Sequence, residues 1–329
     1  MRRIFFLSAV FWFLTLSYLF FGCLKETQSK EFILIKELTV GAESGDERYV
    51  FAGIENIALD SQENIYVLDR RNYRIHKFDK NGKFLKWIVV EKGNGPKEVS
   101  RISGMAVTEK GKIYVQDYNG NKILIFDERA NFLRSFIIDF RAVNIIPYSE
   151  EMIVVLGVKN NHVLHIFNQE GKYLDSFGEP FEIPTKHSQY KNFPQLKLPT
   201  RADRSRNGKI FLVNPHKYEI RVYEGNEIRR VIRHESESFS PLEIKLADEG
   251  RFGMMFPWVP VLEHKTRLYV TMKEFGQDTV HQLDIFEKDN YIGSLKVKGY
   301  AYAIDKKGHL YFAEEEEFPR VVRYKKIEK

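Results

Sequence analysis

The chain has 329 residues, 43% of them hydrophobic and 29% charged, a globular balance that rules out wholesale disorder and is too long for a small disulfide-stapled scaffold. The formal charge of +6 is too thin over this length to imply nucleic-acid binding, and the single cysteine excludes a disulfide framework and any multi-thiolate metal site. Aromatic residues reach 14%, with 26 Phe and 17 Tyr, which favours a β-rich fold.

Met1-Arg2-Arg3 is followed by the uncharged stretch Ile4 to Phe21 and then by Gly22-Cys23. A short basic start, an apolar run and a small residue at its end make a secretory signal. Leu19-Phe20-Phe21-Gly22-Cys23 resembles a bacterial lipobox, although Phe20 and Phe21 are bulkier than the family prefers. The resemblance implies that residues 1–22 are a signal peptide, that cleavage falls before Cys23, and that the Cys23 sulfur carries diacylglycerol. The alternative is an uncleaved anchor, since a run of this length just spans a bilayer. In both cases the body faces away from the cytosol. Residues 23–31 are a short polar tether, and Leu24 in place of Asp after the cysteine points, by resemblance to Gram-negative sorting, to the outer membrane.

Self-similarity dominates residues 32–329. The segment from Ile54 to Ile88 recurs without a gap from Ile102 to Phe136, and four looser copies end at Phe177, at Ile232, near Leu295 and at the C-terminus. The anchors Ile65, Ile113, Ile153, Ile210, Leu268 and Leu310 are spaced 48, 40, 57, 58 and 42 residues apart. Each unit holds four short runs of alternating apolar residues separated by turn signals such as Asp60-Ser61-Gln62-Glu63 and Asp79-Lys80-Asn81-Gly82, which predicts four antiparallel strands joined by hairpins. Six such units are an all-β, six-bladed propeller. The sixth unit supplies three strands, and residues 32–40 form an orphan strand ahead of the first unit, so pairing the orphan with the last blade closes the ring. The motif YVLDRRNYRIHKFDKNGKF, with IALD upstream, resembles the NHL-type repeat of six-bladed propellers carried by bacterial lipoproteins, a resemblance that implies the fold and leaves function open.

Propellers place ligands in or over the central channel, lined by the innermost strand of each blade. Aligning the repeats puts Glu55, Ser103, Val143, Thr200, Trp258 and Tyr300 in one ring at the channel mouth, with Asn56, Gly104, Asn144, Arg201, Val259 and Ala301 in the next. Gluconolactonase-like propellers hold a divalent cation there with carboxylates and amides from several blades. Here the first ring has one carboxylate, Glu55, and hard cations want several, so neither a metal nor another cofactor is expected. Asp69 and Asp117 read as turn carboxylates bonded to nearby amides, and Glu314 to Glu317 as a solvated hairpin tip. Of Arg201, Arg204, Arg206 and Lys209, alternation exposes most and leaves Arg201 to meet an anionic ligand.

Two connections break the rhythm: residues 178–197, between blades three and four, and 233–257, between blades four and five. Ser240-Pro241-Leu242-Glu243 could start a short helix. Both loops emerge on the face of the channel mouth, bringing Phe193, Phe252 and Met255 near Trp258 and Arg201, and long loops on rigid repeat folds often carry function. The expected function is therefore a lipid-anchored, monomeric binding or scaffold module that recognises a peptide, a glycan or a partner protein at this face. The alternative is a propeller enzyme, a lactonase-like hydrolase or a lyase, with Glu55, Asn56, Asn144 and Arg201 around the channel. The address is directly testable. Intact mass of membrane-extracted protein is expected to show a chain beginning at acylated Cys23, and an unmodified Met1 start would refute lipidation.

Overall fold

The computed structural model describes residues 30–329 apart from 191, 247–251, 256 and 274–279, with the backbone alone described at 245–246 and 252–255. The leader and Cys23 lie outside the described residues. The described residues form six four-stranded antiparallel sheets. Their inner strands are Ile54–Leu59, Ile102–Val107, Asn144–Pro147, Ala202–Arg204, Val261–His264 and Tyr300–Ile304. The chain is a six-bladed β-propeller, and the sixth blade is completed by Phe32–Val40, which pairs antiparallel with Arg320–Glu328 from Phe32 opposite Glu328 to Val40 opposite Val321.

The hairpins are built by a recurring side-chain device. Asp60 accepts the amides of Gln62 and Asn64, Asp79 those of Asn81 and Lys83, Asp127 those of Arg129 and Asn131, Asn168 those of Glu170 and Lys172, and Asp305 those of Lys307 and His309. One short oxygen thus holds the amides two and four residues on, which fixes the turn and the strand register together. Glycine follows three residues after several of these turns, and Gly82 and Gly308 have φ of +82° and +88°, a conformation that L-residues with a Cβ adopt at a cost.

Packing is organised by seam. The second strand of blade one, Ile65–Asp69, and that of blade two, Ile113–Asp117, are buried along their whole length, because both faces of each sheet lie against a neighbouring blade. Six apolar clusters result, and each joins two adjacent blades. Ile75 and Leu68 meet Ile102 and Met105 between blades one and two, for example, and Val67 and Phe78 meet Tyr311 and Val321 between blades one and six.

Three details depart from the sequence reading. In blade five Pro260, not Val259, takes the position of Asn56 and Asn144, with Val261 opposite Val270. Pro257 and Pro260 have no amide to donate, so pairing of the lead-in is reduced to the Pro260 carbonyl, which accepts the Thr271 amide at 3.1 Å, and Trp258 sits further from the strand than the repeat alignment puts it. The segment after Ser240 is not helical: Glu243–Leu246 and Phe252–Met255 form an extra hairpin, for which Pro241 supplies only an extended lead-in. Alternation in the closing strand predicts burial of Ile33 and Ile35 on one face and of Leu34 and Leu38 on the other, but the buried anchors are Phe32 and Val40 and Ile35 is 43% exposed, because this strand is the rim of its blade and has one neighbour to pack against.

Closure still dominates stability. A truncation that begins at Glu47 removes the closing strand, strips Phe32 and Val40 from two seams and leaves the last blade with an open edge. It is expected to lose several kcal/mol, on the order of a whole domain's stability, and thermal melting against a chain of residues 30–329 measures the loss.

Candidate functional site

The inner strands run from one mouth of the channel to the other, and a polar group on or near each of five blades is used to hold the next. Asn56 Nδ2 donates to the Met105 carbonyl at 3.4 Å, Gln116 Nε2 to that of Ala142 at 2.8 Å, and Asn144 Oδ1 accepts the Ala202 amide at 3.1 Å. Asp203 Oδ2 accepts the Val261 amide at 2.9 Å, and Thr271 Oγ1 that of Ala301 at 3.4 Å. These bonds satisfy buried backbone groups where the inner strands end their pairing. Asn56 and Asn144 thus serve as links from blade to blade.

Arg201 lies midway along the channel. It is 5% exposed, its Nε donates to Asp203 Oδ1 at 2.6 Å, and its Cζ lies 5.0 Å from the Trp258 ring centroid and 5.3 Å from that of Tyr302. The guanidinium is held by one carboxylate and two aromatic rings. Burial pushes the Asp203 carboxyl up from its usual range, and Arg201 and the Val261 amide oppose that rise. Arg201 Nη1 and Trp258 Nε1 are buried without a hydrogen-bond partner.

Tyr302 divides the channel into two cavities, since it lines both. The cavity at the start of the inner strands has a volume of about 510 Å³ and is lined by Glu55, Arg70, Arg71, His281, Lys298 and Tyr300 among others. Its charges are largely paired: Arg70 Nε is 3.0 Å from Glu55 Oε2, and Lys298 is paired with Glu316. Burial pushes the Glu55 carboxyl up against the pull of Arg70, Arg101 and Arg201, and pushes the Tyr300 hydroxyl up to about 12. Tyr300 stands edge-on to His281, with ring centroids 4.3 Å apart. Gly299 forms the lip of this cavity. Its φ is +73°, and a Cβ there would lie 1.7 Å from the Ala313 carbonyl, so no other residue fits.

The second cavity, about 410 Å³, opens at the other ends of the same strands and holds Asn56, Arg201, Asp203, Arg204 and Arg206. The expected site residues are therefore split, with Glu55 and Tyr300 at one mouth, Asn56 and Arg201 facing the other, and Trp258 packed against Arg201. Phe193 is 36% exposed on the loop between blades three and four and packs on Tyr190. The side chains of Phe252 and Met255 lie outside the described residues. Parts of both long loops pin the seams. Phe181 is buried beneath the Arg221 guanidinium, and Phe239 stacks on Tyr218 at 5.4 Å.

Asp69 and Asp117 accept amides of the chain entering their own blades, from Ala52 and from Ser100 and Arg101. Glu314 departs from the solvated-tip reading. It is 1% exposed and bonded to Arg320 and Tyr324, because it still belongs to the second strand of blade six. Arg204 also differs from the alternation reading, for it is half-buried and lines the second cavity. Residues 201–206 were legible as a basic run, but which of them face the channel depends on how short the strand is. His281 lies within a strand of blade five, and no motif in the sequence marks it.

The DUF5128 family model, a 6-bladed β-propeller, matches residues 45–154, about the first two blades. No curated protein is significantly similar to the chain. Among solved structures, a Bacteroides fragilis protein described as exported superposes with a TM-score of 0.61 at 12% identity, covering 89% of this chain and 95% of that one. A member of the DUF4221 family from Bacteroides vulgatus gives 0.60 at 11%, covering 92% and 100%. Virginiamycin B lyase from Staphylococcus aureus gives 0.53 at 11%, covering 89% and 99%. At these identities the likeness is one of fold.

The Arg201–Asp203 pair makes a sharp stability prediction. Arg201→Met strands a buried carboxylate and is expected to cost about 3–5 kcal/mol, and combining it with Asp203→Leu should recover a large part. Urea unfolding of both single variants and the double variant closes the cycle, and additive losses would show that the pair is not coupled.

Proposed function

We propose that this chain is an exported, lipid-anchored propeller of the NHL-like kind that binds a peptide, a glycan or a partner protein through the mouth lined by Glu55 and Tyr300. The observation that carries the reading is the 510 Å³ cavity itself, which combines Tyr300 and Tyr302 in its wall with a rim of paired charges of both signs. Its volume suits a small ligand or one end of a larger one. Aromatic walls take the flat faces of sugars or peptide side chains, and polar rims fix orientation. The exported description of the B. fragilis protein supports the address, and the leader and Cys23 supply the anchor by resemblance.

A lyase reading has one observation in its favour. His281 is 5% exposed and lies against Tyr300 in the same cavity, which puts an imidazole beside a phenol, two groups that can exchange a proton with a substrate. The S. aureus lyase shares the fold.

One experiment separates the two. Wild type, Tyr300→Ala and the charge reversal Arg71→Glu, an exposed rim position, are used to capture ligands from native membranes after each variant's melting temperature is checked. Binding predicts that both variants lose capture at least about tenfold, equivalent to 1.4 kcal/mol, and that the captured molecule is recovered intact. Recovery of a cleaved molecule by wild type but not by His281→Ala would favour the lyase. Unchanged capture by both folded variants would place the site elsewhere.

A further inference from the structure

The cavity at the opposite mouth has a different chemistry, and it is divided by blade. Ile57, Met105, Ile145, Leu262 and Ile304 bring apolar surface from blades one, two, three, five and six, whereas blade four alone contributes Arg201, Arg204 and Arg206. Arg204 ends the inner strand of blade four and Arg206 stands in the turn that follows it, and both line the cavity. Arg201, just ahead of that strand, also lines the cavity.

The acids of this cavity are mostly occupied. Asp203 is taken by Arg201 and the Val261 amide. Glu263 is bound by Lys209 at 2.7 Å, and Glu150 accepts the Lys110 amide at 3.0 Å. Glu109 is near enough to Arg204 to favour its charge. Two guanidinium donors nonetheless end without an acceptor: Arg201 Nη1, on a side chain that is 95% buried by its 5% exposure, and Arg204 Nε. Arg206, on the rim, reaches only the Ile304 carbonyl at 3.4 Å. A buried N–H without an acceptor is costly, more so when charged, and an ionised oxygen is the partner that returns most of that cost.

From this juxtaposition we infer a second binding site, for a small amphiphilic carboxylate whose anionic head meets the arginines of blade four and whose apolar body lies against the inner strands of the other blades. The head would bridge Arg204 and Arg206, within reach of the Arg201 donor, and the roughly 410 Å³ of the cavity leaves room for a chain of several carbons. Water could satisfy the donors but would gain nothing from the apolar wall. A bare oxyanion would gain nothing from it either. The site lies on the face opposite the proposed partner-binding mouth, so either can fail without the other.

Octanoate is the probe, with octanol and inorganic sulfate as controls, titrated calorimetrically into a chain of residues 30–329, which keeps all six blades and the closing strand. Octanoate is expected to bind saturably, octanol and sulfate at least about tenfold more weakly. Arg204→Gln and Arg206→Gln should each weaken octanoate by about tenfold while keeping the wild-type melting temperature. Because Arg204 is half-buried, the exposed Arg206 keeps the test valid if Arg204→Gln unfolds. Octanol binding as tightly as octanoate, sulfate doing so, no saturable binding of octanoate at millimolar concentration, or unchanged octanoate affinity in folded Arg206→Gln would each overturn the site.

Discussion

The structure depends on the fact that every blade buries both of its faces. A four-stranded sheet that is apolar on both faces cannot bury them by itself, and here each one shares an apolar cluster with the blade before it and another with the blade after it. That requirement cannot be met at the ends of an open row. The ring must therefore close, and it closes by covalent economy: the first strand of the chain becomes the rim of the last blade, so the polypeptide's own continuity joins blade six to blade one. The closing strand needs few buried side chains to do this, because backbone pairing along Phe32–Val40 supplies the register and Phe32 and Val40 supply the grip.

The same constraint shapes the channel. Six inner strands converge on an axis where their ends can no longer pair with one another, and their backbone amides and carbonyls need partners. The side chains of Asn56, Gln116, Asn144, Asp203 and Thr271 provide them, each reaching from one blade to the next. Polar residues near the channel are thus consumed by assembly, which is why a channel that looks rich in functional groups has few left to meet a ligand. Arg201 is the exception in kind. Its guanidinium has more donors than Asp203 can accept, and Trp258 and Tyr302 hold it beside the second cavity.

Two mouths of unlike character follow. Around Glu55 and Tyr300 the charges are mixed and paired and the walls aromatic, a surface suited to an extended or sugar-like ligand. Around Arg204 and Arg206 the arginines come from one blade, which begins its inner strand late, and aliphatic side chains of the other five line the cavity beside acids that are mostly paired.

By itself the sequence determined the six-fold repeat, the strand order within each blade, the Asx hairpins and the closing strand, since all of these rest on local periodicity and turn chemistry that a linear pattern displays directly. It also located the inner ring near Glu55, Asn56, Asn144, Arg201 and Tyr300. Tertiary structure decided what those residues face. Repeat alignment assigns equivalent positions but not the bulges at Glu55, Ser103 and Tyr302 or the proline lead-in to blade five, and a one-residue slip in an extended strand turns a side chain to the other face. Tyr302 divides the channel for that reason, and the alignment, which put Tyr300 and Ala301 in the rings, passed over it. The pairing of Arg201 with Asp203, the burial of Glu314 and the meeting of His281 with Tyr300 join groups whose geometry follows from packing around the ring, and no pattern along the chain records it.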